Sequence, residues 1–378
     1  MADRRKILFI MSSLGGGGAE KVLVTMLKKF DYDRFDVDLA LTSNTGIYLN
    51  EVPSQVRIIP IFSHPGTLLE RLGFLLYAKF RISCVERWAA RQAIKEHYDT
   101  IVSFMQGRAL KFHTYILDRA NKNISWVHCD LYSRRVSVGP VLSEIDERKG
   151  YEAMDEVVFV SNEAQKQFGK LGYKIKKSTV VYNPIPVAEI QKYVGKSSVV
   201  KADDSPIKIV LCGSLSPVKA FDRMVRVASR LRDEGIGFVV NLIGEGLERH
   251  SLENLIATAN LNGIVNLLGF MRPPYAEMAK GDIFVSCSLT EAYPLNVCEA
   301  LCLSLPIVAT ECAGNSEILG YGKYGKLVPQ NEDELYSAIR EMVMNKALRE
   351  EYAKKSRKGA DQLDMEKVML QIYDVIIR

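Results

Sequence analysis

Lys6-Ile7-Leu8-Phe9-Ile10-Met11 runs into Ser12-Ser13-Leu14-Gly15-Gly16-Gly17-Gly18, and Ala19–Phe30 then repeats apolar residues at Val22, Leu23, Met26, Leu27 and Phe30. A short apolar run, a glycine loop and a helical period spell strand, turn, helix. The same order returns far along the chain. Ile207–Cys212 is an apolar run, Gly213-Ser214-Leu215-Ser216-Pro217-Val218-Lys219 is a loop, and Phe221–Glu234 carries Met224, Val225, Val227, Ala228 and Leu231 at helical spacing. Each unit opens an alternating series. Strands are expected near Val37–Leu41, Thr100–Phe104, Ile124–Val127 and Val157–Val160, then near Gly237–Ile243, Ile264–Leu268, Ile283–Ser286 and Pro306–Ala309. Strands this continuous in Val, Ile and Leu are buried on both faces, as in parallel sheets covered by helices. The fold class is therefore α/β, with two doubly wound domains. Ligands of such sheets bind where glycine loops and helix N-termini collect, at the carboxyl ends of strands.

A length of 378 residues suits two domains. Two prolines in Val180-Val181-Tyr182-Asn183-Pro184-Ile185-Pro186, then the polar stretch Gly195–Pro206, place the boundary between Val180 and Ile207. A long charged helix is expected at Glu332–Gly359 and an amphipathic one at Lys367–Ile377. About 47% of residues are hydrophobic and 25% charged, which excludes collagenous and largely disordered chains. No apolar run approaches the roughly 18 residues that span a bilayer, and Ile7–Met11 is too short for a secretory signal. The seven cysteines include no C-x-x-C pair and read as reduced, buried thiols in a cytosolic protein. Charge is uneven. Of 50 Lys and Arg and 45 Asp and Glu, the chain up to Ile185 holds 27 and 20, leaving 23 and 25, so a net +7 faces a net −2. A basic first half favours anionic partners. No zinc-finger spacing, RNP-like aromatic motif or basic zipper points to nucleic acid.

The richest stretch is Thr290-Glu291-Ala292-Tyr293-Pro294-Leu295-Asn296-Val297-Cys298-Glu299-Ala300-Leu301. It follows a strand and opens a helix, where the backbone N–H groups of Tyr293, Leu295 and Asn296 can face an anion or sugar hydroxyls. Glu291 precedes that helix and Glu299 lies about two turns inside it. Glu299 sits among Val297, Cys298, Ala300 and Leu301, so a solvated helix carboxylate explains it poorly. Two carboxylates at this interval could grip both ends of one extended ligand.

Glu291 and Glu299, with seven residues between, resemble the E-x7-E signature of the retaining glycosyltransferases of family 4, which have the two-domain GT-B fold. Gly213–Asp222 (GSLSPVKAFD) is similar to the family's G-R-L-x-x-x-K-G-F-D. Ile243–Gly246, Leu268–Phe270, Val181–Ile185 and Gly15–Glu20 also match its pattern, so the resemblance spans nearly the whole chain. It implies two Rossmann-like domains facing across a cleft that closes by hinge motion. Residues 1–185 would bind the acceptor and residues 186–359 the nucleotide-sugar, with a helix at about 360–378 packing back on the first domain. It implies that Lys219 neutralises the donor diphosphate, which agrees with the need to stabilise negative charge left by cleavage. Glu299 would bind ribose hydroxyls and Glu291 would lie near the donor sugar. Gly16 and Gly17 would let backbone approach the diphosphate. Ser214 and Gly244 would line the donor site, and the nucleobase would lie near Phe270–Met271. His128, at a strand end, would face the sugar's primary hydroxyl. Two departures stand out: Ser214 where Arg is commoner, so one phosphate cation is missing, and Ala220 where Gly is usual.

The resemblance also implies a nucleotide-sugar donor, UDP-linked, a glycan or lipid-linked acceptor, and front-face displacement with no cofactor. Asp31-Tyr32-Asp33 and Asp36-Val37-Asp38 match a D-x-D metal motif but lie near the start of a strand. They read as solvated acids, and no metal is expected. Thr67–His97 reads as one long helical segment with six cations, three acids and many large apolar residues. That composition fits either a core helix or an anionic membrane surface, and with the basic first half it favours a peripheral, cytoplasmic-face location. Two alternatives to a transferase stay open: a nucleotide-sugar epimerase of the same architecture, and a non-catalytic nucleotide-sugar or glycan-binding partner.

Overall fold

A computed structural model describes residues 4–64, 66–133, 135, 137–195 and 205–378. The chain divides into two compact units. One runs to Pro184 and includes Glu366–Arg378; the other is Ile185–Met365.

The first unit is built on seven strands: β1 (Arg5–Met11), β2 (Phe35–Leu41), β3 (Arg57–Pro60), β4 (Tyr98–Ser103), β5 (Ala120–Val127), β6 (Glu156–Phe159) and β7 (Ser178–Val180). Their order is β3-β2-β1-β4-β5-β6-β7, with every pairing parallel. Ile7–Met11, Ile101 and Val102, and Val157–Phe159 are fully buried, as apolar runs covered on both faces must be. The last helix, Met365–Ile377, belongs to this unit. Tyr373 stacks on Phe35 at 5.3 Å, and the helix's terminal carbonyls accept from Thr100 (2.8 Å to Ile376), Lys122 (2.6 Å to Val375) and Arg5 (2.9 Å to Ile377).

The second unit has six strands: β8 (Ile207–Cys212), β9 (Phe238–Ile243), β10 (Val265–Gly269), β11 (Ile283–Ser286), β12 (Ile307–Thr310) and β13 (Lys326–Val328). Their order is β10-β9-β8-β11-β12-β13, again all parallel. Met224, Val225, Ala228 and Leu231 of the Phe221–Asp233 helix are buried against Ile209, Leu211 and Val240 of this sheet.

Several expectations are corrected. The Thr67–His97 segment is two helices, Leu68–Phe80 and Cys84–Ala93, because Arg81 takes a left-handed conformation that ends the first. Glu332–Gly359 is likewise two helices, Glu332–Met344 and Lys346–Ala360, broken at Asn345, whose side chain caps the second. Asp38 is not a solvated acid: it is buried, accepting from Arg57 (2.9 Å) and from the Tyr98 hydroxyl (2.7 Å). Cys84 is exposed, since it opens an outward-facing helix, while Cys287, Cys298 and Cys302 are buried thiols as expected. The linker-like stretch lies mostly outside the described residues.

Candidate active site

In the second unit, chain order reverses between β8 and β11, so the loops leaving these strands flank a switch point at their carboxyl ends. Both conspicuous motifs start there. The β8 loop opens with Gly213, whose N–H donates to Ile243 O at 2.9 Å. A turn closed by Lys219 N–H to Ser216 O (3.0 Å) aims the lysine back across Gly213. A Cβ at Gly213 would lie 3.2 Å from Lys219 Cε, so glycine clears the path of the lysine stem. Gly244 ends β9, and a Cβ there would collide with the Gly213 carbonyl oxygen. This pair of glycines lets the two loops touch. Ala220 holds φ +47° before the Phe221–Asp233 helix, which explains why glycine suits that position.

The β11 loop carries Glu291 to this lysine. Lys219 Nζ lies 2.5 Å from Glu291 Oε1, both side chains largely buried, and the Ser288 hydroxyl donates to the same oxygen at 2.7 Å. The loop is fixed from behind. Thr310 Oγ1 donates to Ser288 O at 2.7 Å, and Gln330 Nε2 to Ser288 O at 3.0 Å and Glu311 O at 2.9 Å. Gly314 N–H donates to Glu291 O at 2.8 Å. Buried Asn315 donates to Thr310 O at 2.8 Å.

Pro294 then caps the Leu295–Cys302 helix. Tyr293 is buried, and Leu295 and Asn296 supply the first-turn N–H groups. Asn296 Nδ2 donates to Cys212 O at 2.6 Å, tying this helix start to the end of β8. Because Thr290–Pro294 is not helical, Glu299 stands just over one turn into the helix, rather than two. It is buried. Burial with the nearby Glu299 charge pushes the Cys302 thiol up to about 12, and burial does the same to Cys287 and Cys312. These thiols are protonated at neutral pH and unsuited to nucleophilic attack.

The structure thus brings Lys219, Glu291, Tyr293, Leu295 and Asn296 to the carboxyl ends of β8 and β11, with Glu299 buried a turn further into the helix. Gly244 lies beside them. Exposed Ser214 bonds sideways, to Ser216 Oγ at 3.1 Å, and Met271 follows β10, two strands from β8. Sequence reading missed Ser288, Thr310, Asn315 and Gln330. Only Ser288 had a local signal, its S-x-x-E spacing to Glu291; the others arrive from distant elements.

In the first unit, Gly16 and Gly17 follow β1. Their N–H groups both donate to Glu20 Oε2 in the first turn of the Gly18–Leu27 helix, the first at 3.1 Å, a capping arrangement at the start of that helix. His128 follows β5. Its backbone N–H donates to Gln106 Oε1 at 3.2 Å, and its ring packs 4.7 Å from Phe104. Burial lowers its pKa to about 3, so the imidazole is neutral, and its Nε2 has no hydrogen-bond partner among the described residues. A neutral ring can bond a hydroxyl but supplies no positive charge. Among the described residues, no group of three or more His, Cys, Asp or Glu is placed to hold a metal ion.

Residues 196–359 match the family model "Glycosyl transferases group 1". The chain is 24% identical over 371 residues to an uncharacterized glycosyltransferase of Haemophilus influenzae, covering 97% of this chain and 98% of that one. It is 29% identical over 198 residues to an N-acetylgalactosaminyltransferase of Campylobacter jejuni whose name specifies a diphospho-undecaprenol glycan, covering about half of each (51% and 52%). Among solved structures it resembles HepE of Anabaena in complex with UDP-glucose, with TM-score 0.76, 20% identity and 99% of both chains covered. That last likeness is one of fold, and the fold is GT-B.

Proposed function

We propose that this chain, whose residues 196–359 match the model of the group 1 glycosyltransferases, is a glycosyltransferase that moves a sugar with retention of anomeric configuration from a UDP-sugar to a glycan or lipid-linked acceptor. The reaction serves cell-surface polysaccharide or glycolipid synthesis at the cytoplasmic face of the membrane and uses no metal. The observation that carries the reading is the pairing of Lys219 with Glu291 at the β8/β11 switch point, with Glu299 just over one turn into the helix behind them.

The chemistry follows from charge. When the C1–O bond of the donor breaks, its electron pair leaves with the β-phosphate oxygen. Lys219 meets that charge in a partly buried site, where a fixed cation acts more strongly than in water. It must then exchange part of its contact with Glu291 for phosphate, freeing the carboxylate to hold a sugar hydroxyl. Glu299 grips the ribose. The acceptor oxygen bonds C1 on the face the phosphate leaves, and its proton passes to the departing phosphate oxygen. Orientation and charge stabilisation supply the rate. The Campylobacter relative's polyprenyl-diphosphate glycan and the UDP and UDP-glucose bound by HepE support the acceptor and donor classes.

The test is product analysis after incubation with a nucleotide-sugar panel, with and without lipid-linked and glycan acceptors. Acceptor-dependent UDP release with the donor's anomeric configuration retained is expected. An epimerised sugar nucleotide without acceptor, turnover of GDP-sugars alone, or donor binding without turnover would each overturn the reading.

A further inference from the structure

The Leu68–Phe80 and Cys84–Ala93 helices of the first unit are amphipathic the wrong way round. Their buried residues are Glu70, Gly73 and Tyr77 in one, Glu86, Ala89 and Ala90 in the other. Large apolar side chains point outward instead: Leu68 is 84% exposed, Leu75 60%, Phe80 62% and Trp88 56%. The hairpin is fastened by polar anchors. Glu70 accepts from Arg108 at 2.8 Å and from Ser43 at 3.1 Å. The Tyr77 hydroxyl donates to Asp146 at 2.5 Å. Glu86 is ion-paired with buried Lys111 at 2.6 Å. Gly73 allows the close crossing, since a Cβ there would lie 3.0 Å from Glu86 Cγ. A water-facing helix pair normally buries its apolar stripe, and an exposed patch of this kind marks an interaction surface.

The occupant is set by charge. The three carboxylates in residues 67–97 are all drawn away from the outer face: Glu70 to Arg108, Glu86 to Lys111, and Glu96 to Lys6 and Arg57. Arg71, Lys79, Arg81 and Arg87 remain exposed around the apolar residues. We propose that this hairpin docks the first unit on an anionic lipid bilayer. Leu68, Leu72 and Leu75 share one helix face and enter the headgroup boundary. The cations, on long apolar stems, reach the phosphates. A second copy of the chain is the poorer occupant, because a two-fold interface would set these cations against themselves. The inference concerns a surface separate from the donor site and does not depend on donor chemistry.

The test is sedimentation of the full chain with vesicles of phosphatidylglycerol and phosphatidylcholine in equal amounts, against vesicles of phosphatidylcholine alone. Binding to the first set only is expected, weakening as salt rises from about 0.1 M to about 0.5 M. Trp88 emission should shift blue on binding, while buried Trp126, the other tryptophan, gives a constant background. Leu68→Ser/Leu75→Ser/Phe80→Ser should cut binding at least about tenfold, and Arg71→Gln/Lys79→Gln about thirtyfold, from roughly fivefold per charge. Both variants alter exposed side chains, so their melting curves and their response to UDP should match the wild type. Absence of binding to the anionic vesicles, equal binding to both sets, or concentration-dependent dimerisation that the serine variant abolishes would overturn the proposal. Loss of the UDP response with vesicle binding intact would count against the donor site and leave this surface standing.

Discussion

Gly314→Ala probes the support of the site without touching its chemistry. Gly314 is buried in the Ala313–Ile318 helix, behind the Glu291 loop. A Cβ there would lie 2.8 Å from Glu291 O, 2.8 Å from Pro294 Cδ and 2.9 Å from Ala292 C, where ordinary contact begins at 3.4 Å. The neighbours must therefore yield by about half an ångström, and two of them are backbone. Overpacking of this kind costs roughly 1–3 kcal/mol, and the helix gains back about 1 kcal/mol when Gly becomes Ala. Net destabilisation of about 1 kcal/mol should lower the melting point of the second unit by roughly 2–4 °C. The larger effect falls on rate. Thr310 and Gln330 hold the Ser288 carbonyl in place, so displacement concentrates on Glu291 and Pro294. A misplacement of about 1 Å costs on the order of a hundredfold, so half of that predicts about a tenfold loss of transfer. The assay is UDP release with the best donor and acceptor, beside a melting curve with and without UDP. Wild-type turnover in a variant with a lowered melting point would refute the claim that strain reaches Glu291.

Further outcomes can be checked with the same protein. Burial lowers the pKa of His113 to about 4 while Ser103 and Asn123 bond its neutral ring, so the unfolded chain binds the extra proton first. Stability of the first unit should fall by about 3 kcal/mol as pH drops from about 6.5 to about 4. Urea unfolding followed by tryptophan fluorescence reads this unit alone, because Trp88 and Trp126 both lie in it, and His113→Gln should flatten the slope. Lys111→Met should destabilise the same unit by about 3–5 kcal/mol by leaving the Glu86 carboxylate buried without its cation, and Glu86→Leu added to it should recover most of the loss. Gly244→Ala, which drives a methyl into the Gly213 carbonyl, should unfold the second unit by proteolysis or hydrogen exchange while tryptophan fluorescence stays unchanged.

Much of the fold was legible because buried parallel strands announce themselves as apolar runs; β1, β8 and β11 lie within a residue of where the pattern puts them. The edge strands β3, β7 and β13 were invisible. They have three or four residues and little burial, so no periodicity can accumulate. The breaks at Arg81 and Asn345 were hidden because the helical period continues across them. Asp38 read as solvated since its partners Arg57 and Tyr98 come from other strands. The carboxylates and lysine of the candidate site were legible from spacing and resemblance. Their supports were not, because Thr310, Asn315 and Gln330 act through carbonyls brought close only by folding. The inverted hairpin shows the same limit: composition revealed basic and apolar residues, and only the fold reveals which of them face outward.

On the proposed reading, the second unit holds UDP through Lys219 and Glu299. Titration calorimetry with UDP on the wild type, Lys219→Met and Glu299→Ala tests it most directly. The account predicts saturable wild-type binding at one site, weakened about tenfold or more in each variant through loss of a charge-assisted bond. Equal UDP affinity in all three proteins, each folded by its melting curve, would contradict it.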